Sequence, residues 1–126
     1  MAESDFDEEF DRRLTAIEKR VAIVLPKGAV VEYSAYGEDE EGLPVDNLDE
    51  IAVEGRCIFV QTHDPEWGPG KNYVSAEMKN PTWLQVCIRA DEMIRTTGDR
   101  DHFFLEGVTV LRLENGVKIV DLDMGS

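Results

Sequence analysis

Cysteine, histidine and tryptophan are scarce in this chain, with two of each in 126 residues. Cys57 and Cys87 form no CxxC pair or zinc spacing. Each sits in an apolar run, Arg56-Cys57-Ile58-Phe59-Val60 or Leu84-Gln85-Val86-Cys87-Ile88, where a thiol behaves as a small buried hydrophobe rather than a nucleophile. Cationic residues are scarce as well. Thirteen Lys and Arg face 27 Asp and Glu, for a formal net charge of −14 and a sequence pI near 4.4. Such a surface repels phosphate and anionic lipid, so neither direct nucleic-acid binding nor membrane binding is expected. No apolar run approaches membrane-spanning length. Met1-Ala2-Glu3-Ser4-Asp5 has neither the basic nor the apolar region of a signal peptide, so a cytoplasmic location is the expectation.

Glycine signatures are missing too. Gly68-Pro69-Gly70-Lys71 lacks the first glycine of a phosphate-binding loop and a following Ser or Thr, and no dinucleotide fingerprint occurs. Ser34 and Ser75 have no elbow glycines around them. The acids near Glu38 to Glu50 lack the alternation and central glycine of a calcium loop. These absences favour a non-enzymatic protein, and no cofactor is expected.

What remains is an ordinary globular composition, 42% hydrophobic and 32% charged, of a length that suits one domain spanning residues 1–126. Phe6, Phe10, Leu14, Ile17, Val21 and Val24 recur at helical spacing behind a candidate cap at Ser4. Acids crowd the first turn, bases follow, and Pro26 and Gly28 end the run. Ala29 to Tyr36 and Arg56 to Thr62 have strand character, with a solvated acidic loop from Glu38 to Pro44 between them. A loop from His63 to Tyr73 follows, anchored by Trp67. Asn80-Pro81 marks a second helix with proline at its first position. Its apolar arc contains Trp83, Val86, Cys87, Ala90, Met93 and Ile94, and Gly98 stops it. Two strands close the chain, His102 to Leu113 and Val117 to Met124. A two-residue Asn115-Gly116 loop would set Arg112 against Ile119 and Leu113 against Lys118. A three-residue loop pairs Leu113 with Val117, Leu111 with Ile119, Val110 with Val120 and Val108 with Leu122, and is the expected register.

The order αββαββ implies an α+β fold with an antiparallel four-stranded sheet and two helices on one face. Its second apolar face then needs cover, for which a symmetric homodimer is one account and burial under loops the other. The expected function is a small acidic protein-interaction or regulatory module that oligomerises and has a basic protein as a possible partner. The alternative is a small-ligand-binding protein or metal-dependent enzyme. It would use His63 and His102 at one end of the sheet, with Trp67 and Tyr73 as walls. No metal is assigned. The residues a metal would draw on are His63, Asp64, Asp101 and His102, which no spacing ties together on one element.

Overall fold

The stripe from Phe6 to Val21 becomes the inward side of α1 (Glu3–Val24) in a computed structural model that describes residues 3–126, the side chains of Glu3 and Trp67 excepted. Ile17 and Val21 are buried, whereas Val24, at the end of the stripe, is exposed. Ser4 lies inside the helix, so it is not the cap, and residues 1 and 2 fall outside the described region. Bases on α1 hold the acidic segment that follows. Arg13 reaches Asp39 at 3.0 Å, and Arg20 reaches Asp46 at 2.7 Å and Asp49 at 2.8 Å.

The strand expected from Ala29 to Tyr36 contracts to β1 (Glu32–Tyr33). The acidic loop is more ordered than its composition suggests. β2 (Gly37–Glu38) pairs antiparallel with β3 (Pro44–Val45), and Asp39 Oδ1 accepts the Glu41 and Leu43 amides inside the turn. Leu43 and Leu48 are buried, which turns the loop into a cover for the core.

The remaining strands are β4 (Arg56–Gln61), β5 (Tyr73–Val74), β6 (Met78–Lys79), β7 (Phe104–Glu114) and β8 (Val117–Gly125). With β1 they form a six-stranded mixed sheet in the order β1-β7-β8-β4-β5, with β6 also on β4. The expected antiparallel four-stranded sheet is thereby corrected. β4 runs parallel to β8, and β1 runs parallel to β7. Parallel pairing needs a crossover element. α2 (Trp83–Thr97) provides one between β6 and β7, so β8 inserts beside β4 at the centre of the sheet.

α2 starts two positions later than Asn80-Pro81 implies. Its cap is Thr82, whose hydroxyl accepts the Gln85 amide while the Gln85 side chain accepts the Thr82 amide. Gly98 ends it in the left-handed conformation, φ 75°. Val86, Cys87, Ala90, Met93 and Ile94 join Ile17 and Val21 of α1 in one core cluster. The sheet contributes Cys57, Phe59, Leu105, Val120 and Leu122 to the same cluster. Both helices therefore cover the same sheet face. By strand alternation Ile58, Val60, Ile119, Asp121, Asp123 and Thr109 belong to the other face, and none of them is in that cluster.

The final hairpin corrects the expected register. Asn115 (φ 51°) and Gly116 (φ 80°) form the two-residue loop, so Glu114 pairs with Val117, Leu113 with Lys118 and Arg112 with Ile119. A bulge at Leu111 then restores Val110 to Val120 and Val108 to Leu122. Two of the four apolar pairs that argued for a longer loop, Val110–Val120 and Val108–Leu122, are thus recovered by the bulge.

Candidate functional site

Sequence reasoning brings the histidines together if the strand containing Phe59 neighbours the segment containing Phe103. In the structure β8 lies between β4 and β7, and Phe103 precedes β7. The histidines still share a site, because β4, β8 and the entry to β7 end on the same side of the sheet, beside the last turn of α2. A cavity of about 230 Å³ is lined there by Gln61, Thr62, His63, Asp64, Met93, Thr97, Asp99, His102 and Met124.

Local hydrogen bonds hold His63, Asp64, Thr97, Asp99 and His102 in it. The His63 amide donates to Asn72 Oδ1 at 2.8 Å, and its ring Nε2 lies 2.9 Å from the Gly68 carbonyl oxygen. That bond requires the proton on Nε2, and among the described residues Nδ1 has no hydrogen-bond partner. His102 is the converse. Its Nδ1 donates to Asp99 Oδ2 at 2.9 Å, leaving Nε2 free. Burial opposes the Asp99 charge, but the His102 ring and the Asp101 and His102 amides outweigh it and hold the carboxyl below the ordinary aspartate value. The Thr97 hydroxyl donates to the Met93 carbonyl at 3.0 Å and accepts the Asp99 amide at 3.3 Å, tying α2 to the turn that presents His102.

The loop from His63 to Tyr73 contributes His63 and Asp64 to the cavity lining. Asp64 caps a 3-10 turn, Pro65–Trp67, by accepting the Glu66 amide at 2.9 Å. Lys71 N–H donates to Thr96 O at 3.2 Å, and Gly70 passes so close to Thr97 that a Cβ there would stand 2.0 Å from the Thr97 carbonyl oxygen. The loop is thus moored on the α2 C-terminus by Gly70 and Lys71. The Trp67 side chain, expected to anchor it, lies outside the described residues.

Tyr73 is elsewhere. It is buried in the core, and its hydroxyl donates to Glu92 Oε1 at 2.8 Å. Burial and the Glu92 carboxylate both push its ionisation upward. Asp101 does not line the cavity, and its amide donates to Asp99 Oδ1 at 3.0 Å. Among the described residues no three His, Cys, Asp or Glu side chains are grouped to hold a metal ion. The cysteines offer no nucleophile, because burial raises the Cys57 thiol and pushes that of Cys87 up to about 12.

Met93, Thr97, Met124 and Gly70 were not read from the sequence as site residues. Only the spacing of Met93 and Thr97, one helical turn apart, hints that two of them share a face. No family model matches the chain, and comparison with curated proteins and with solved structures finds no match to it. No described helix is long and apolar enough to cross a membrane.

Proposed function

We propose that the protein is a non-enzymatic interaction module that oligomerises through its sheet. The observation that carries this is the exposed apolar surface of β7 and its tip, where Val110 is 51% exposed, Leu111 49% and Leu113 65%. Three exposed apolar side chains within four residues suit an association site in a chain otherwise rich in charge. The net charge of −14 suits a basic protein as a further partner. Sedimentation velocity and native mass spectrometry over a range of concentrations test the reading. The expected result is a concentration-dependent oligomer. A monomer even at millimolar chain concentration removes it.

A second reading rests on the cavity. With His63 Nδ1 and His102 Nε2 uncommitted beside Asp99 and Thr97, it suits a small polar ligand that bridges the two rings. Proton NMR of both imidazoles during titration with zinc, and separately with a small-molecule library, tests it. Shifts at both rings that disappear with His63→Ala support a ligand site, and unmoved rings remove it.

A further inference from the structure

The side chains around the histidine cavity are hydrogen-bond acceptors almost throughout. His63 and His102 each donate from one ring nitrogen, to Gly68 O and to Asp99 Oδ2, so in the neutral rings His63 Nδ1 and His102 Nε2 carry lone pairs. Asp64 and Asp99 add carboxylates, each with one oxygen engaged by a backbone amide of its own turn. The Thr97 hydroxyl commits its hydrogen to Met93 O. In the amide orientation that satisfies both its ends, Gln61 commits its nitrogen to Leu122 O at 2.9 Å and Asp121 Oδ1 at 3.2 Å. Among the described residues no lysine or arginine lines the cavity, and Thr62 alone keeps a side-chain hydrogen to donate. An anion would meet two carboxylates there with no cation to offset them. A metal ion would find no three His, Cys, Asp or Glu side chains grouped to hold it. A ligand that brings hydrogens and positive charge fits the lining.

Topology sets the shape of that ligand. β4 and β7 flank β8, so their axes stand roughly 10 Å apart, two strand spacings. His63 follows β4 by two residues, and His102 precedes β7 by two. Carried three residues past Val60–Asp121, the β4–β8 register sets Met124 beside His63, and the β7–β8 register sets it beside Leu105. Met124 therefore lies between the two histidine-bearing segments, and Met93 of α2 lines the same cavity. The lining is polar at two ends, His63 with Asp64 and His102 with Asp99, and has thioethers between them. A volume of about 230 Å³ holds several water molecules, more room than a single ion needs.

We propose that the cavity binds a short aliphatic diamine as its dication, which deepens the ligand-site reading above and rests on it. One ammonium donates to His63 Nδ1 and Asp64, the other to His102 Nε2 and Asp99, and the methylene chain lies against Met93 and Met124. Two positive heads match two carboxylates, and each head meets one ring lone pair. The outer hydrogen bonds of the rings fix both tautomers in the accepting form before the ligand arrives. The net charge of −14 raises the local concentration of such a dication. A lysine side chain of a partner protein brings one head only and leaves the second ring and carboxylate without a donor.

The test is titration followed by calorimetry and by NMR of the two imidazoles and the methionine methyls. Putrescine serves as the diamine, butylamine as its one-headed analogue and succinate as its anionic counterpart. Saturable one-to-one binding of putrescine is expected, moving both rings and the Met93 and Met124 methyls. It should be at least about tenfold tighter than that of butylamine, because the second head adds a charge-assisted hydrogen bond. Asp64→Asn keeps the oxygen that accepts the Glu66 amide and removes a charge, so it is expected to weaken putrescine about tenfold. Butylamine binding as tightly, or an Asp64→Asn variant of unchanged affinity, overturns the two-headed ligand and leaves the ligand-site reading standing while the rings still shift. Rings that answer to succinate or zinc but not to putrescine do the same. Putrescine shifts spread over the acidic surface without saturation overturn the diamine site. Rings unmoved by all of these and by the small-molecule library overturn both readings.

Discussion

A Cβ built on Gly70 stands 2.0 Å from the carbonyl oxygen of Thr97 and 2.9 Å from His63 Nε2. The first of these is backbone at a helix end, so it cannot rotate away. Gly70→Ala is therefore expected to lift the loop from α2 and to destabilise the fold by about 1–3 kcal/mol. Gly37→Ala, whose Cβ would meet ordinary contacts at 3.7 Å, serves as the control; urea unfolding compares them, and equal stabilities would mean that the loop is not moored at Gly70. At Asp99 the test is pH. Its folded-state value is depressed. Between that value and the ordinary one the unfolded chain binds more protons, so stability rises with pH through the window. The contribution is complete above the unfolded value and is lost as pH falls through the folded one. Asp99→Asn keeps the acceptor for the Asp101 amide and removes the charge. It should lower stability by about 0.5 kcal/mol at neutral pH, the scale of an exposed pair, and the difference should close in acid. A difference that persists below the aspartate range would assign the effect to packing. The histidines beside aspartates were visible in the sequence as possible site residues. The roles of Thr97 and Gly70 were not, because each depends on a contact between segments far apart in the chain.

At the scale of elements, what could be read from sequence was periodicity, and what could not was pairing. Both helices were legible from apolar spacing, as was the Gly98 stop. The cap of α2 shifted from Asn80-Pro81 to Thr82 because the Gln85 side chain completes a capping box there. Thr82→Ala should cost about 1 kcal/mol in urea unfolding, while Thr82→Ser should stay near the parent. A Thr82→Ala variant as stable as the parent would show that α2 is held by packing alone. The hairpin illustrates the limit of side-chain matching. Leu113 opposite Lys118 looked unfavourable, yet an Asn-Gly pair with both residues at positive φ decides the tip locally. Leu111 then absorbs the mismatch as a bulge. Deleting Leu111 would bring Arg112 directly after Val110 with the facing pairs unchanged. The deletion is expected to fold with a stability change under about 1.5 kcal/mol, whereas a chain that had adopted the longer loop would lose its register. Circular dichroism and amide NMR of the deletion variant distinguish these outcomes.

For the whole molecule, the α+β class followed from alternating patterns, but sheet order had no sequence signal. β1, β5 and β6 contain two residues each, too few for any period to register. Their positions come from long-range contacts, among them the Ser34 amide on Leu105 O and the Ser75 amide on Phe59 O, both at 2.8 Å. The same contacts bind the helices and the sheet into one core cluster, and the two thiols sample it from different layers. Cys57 is in β4 and Cys87 in α2, both fully buried. If the chain unfolds as one cooperative unit, neither thiol can meet a reagent without global opening. Single-cysteine variants, Cys57→Ala and Cys87→Ala, are then expected to be labelled with the same opening free energy once corrected for their own stabilities. That energy should match urea unfolding. A Cys87 that reacts well before Cys57 would mean that α2 detaches as a separate unit, leaving the sheet folded. Faster labelling of Cys57 would instead point to fraying of β4 from the β5 and β6 edge. Since α2 is the crossover that allows β4 to lie parallel to β8, its detachment should also loosen the sheet, which is why simultaneous labelling is the expected outcome.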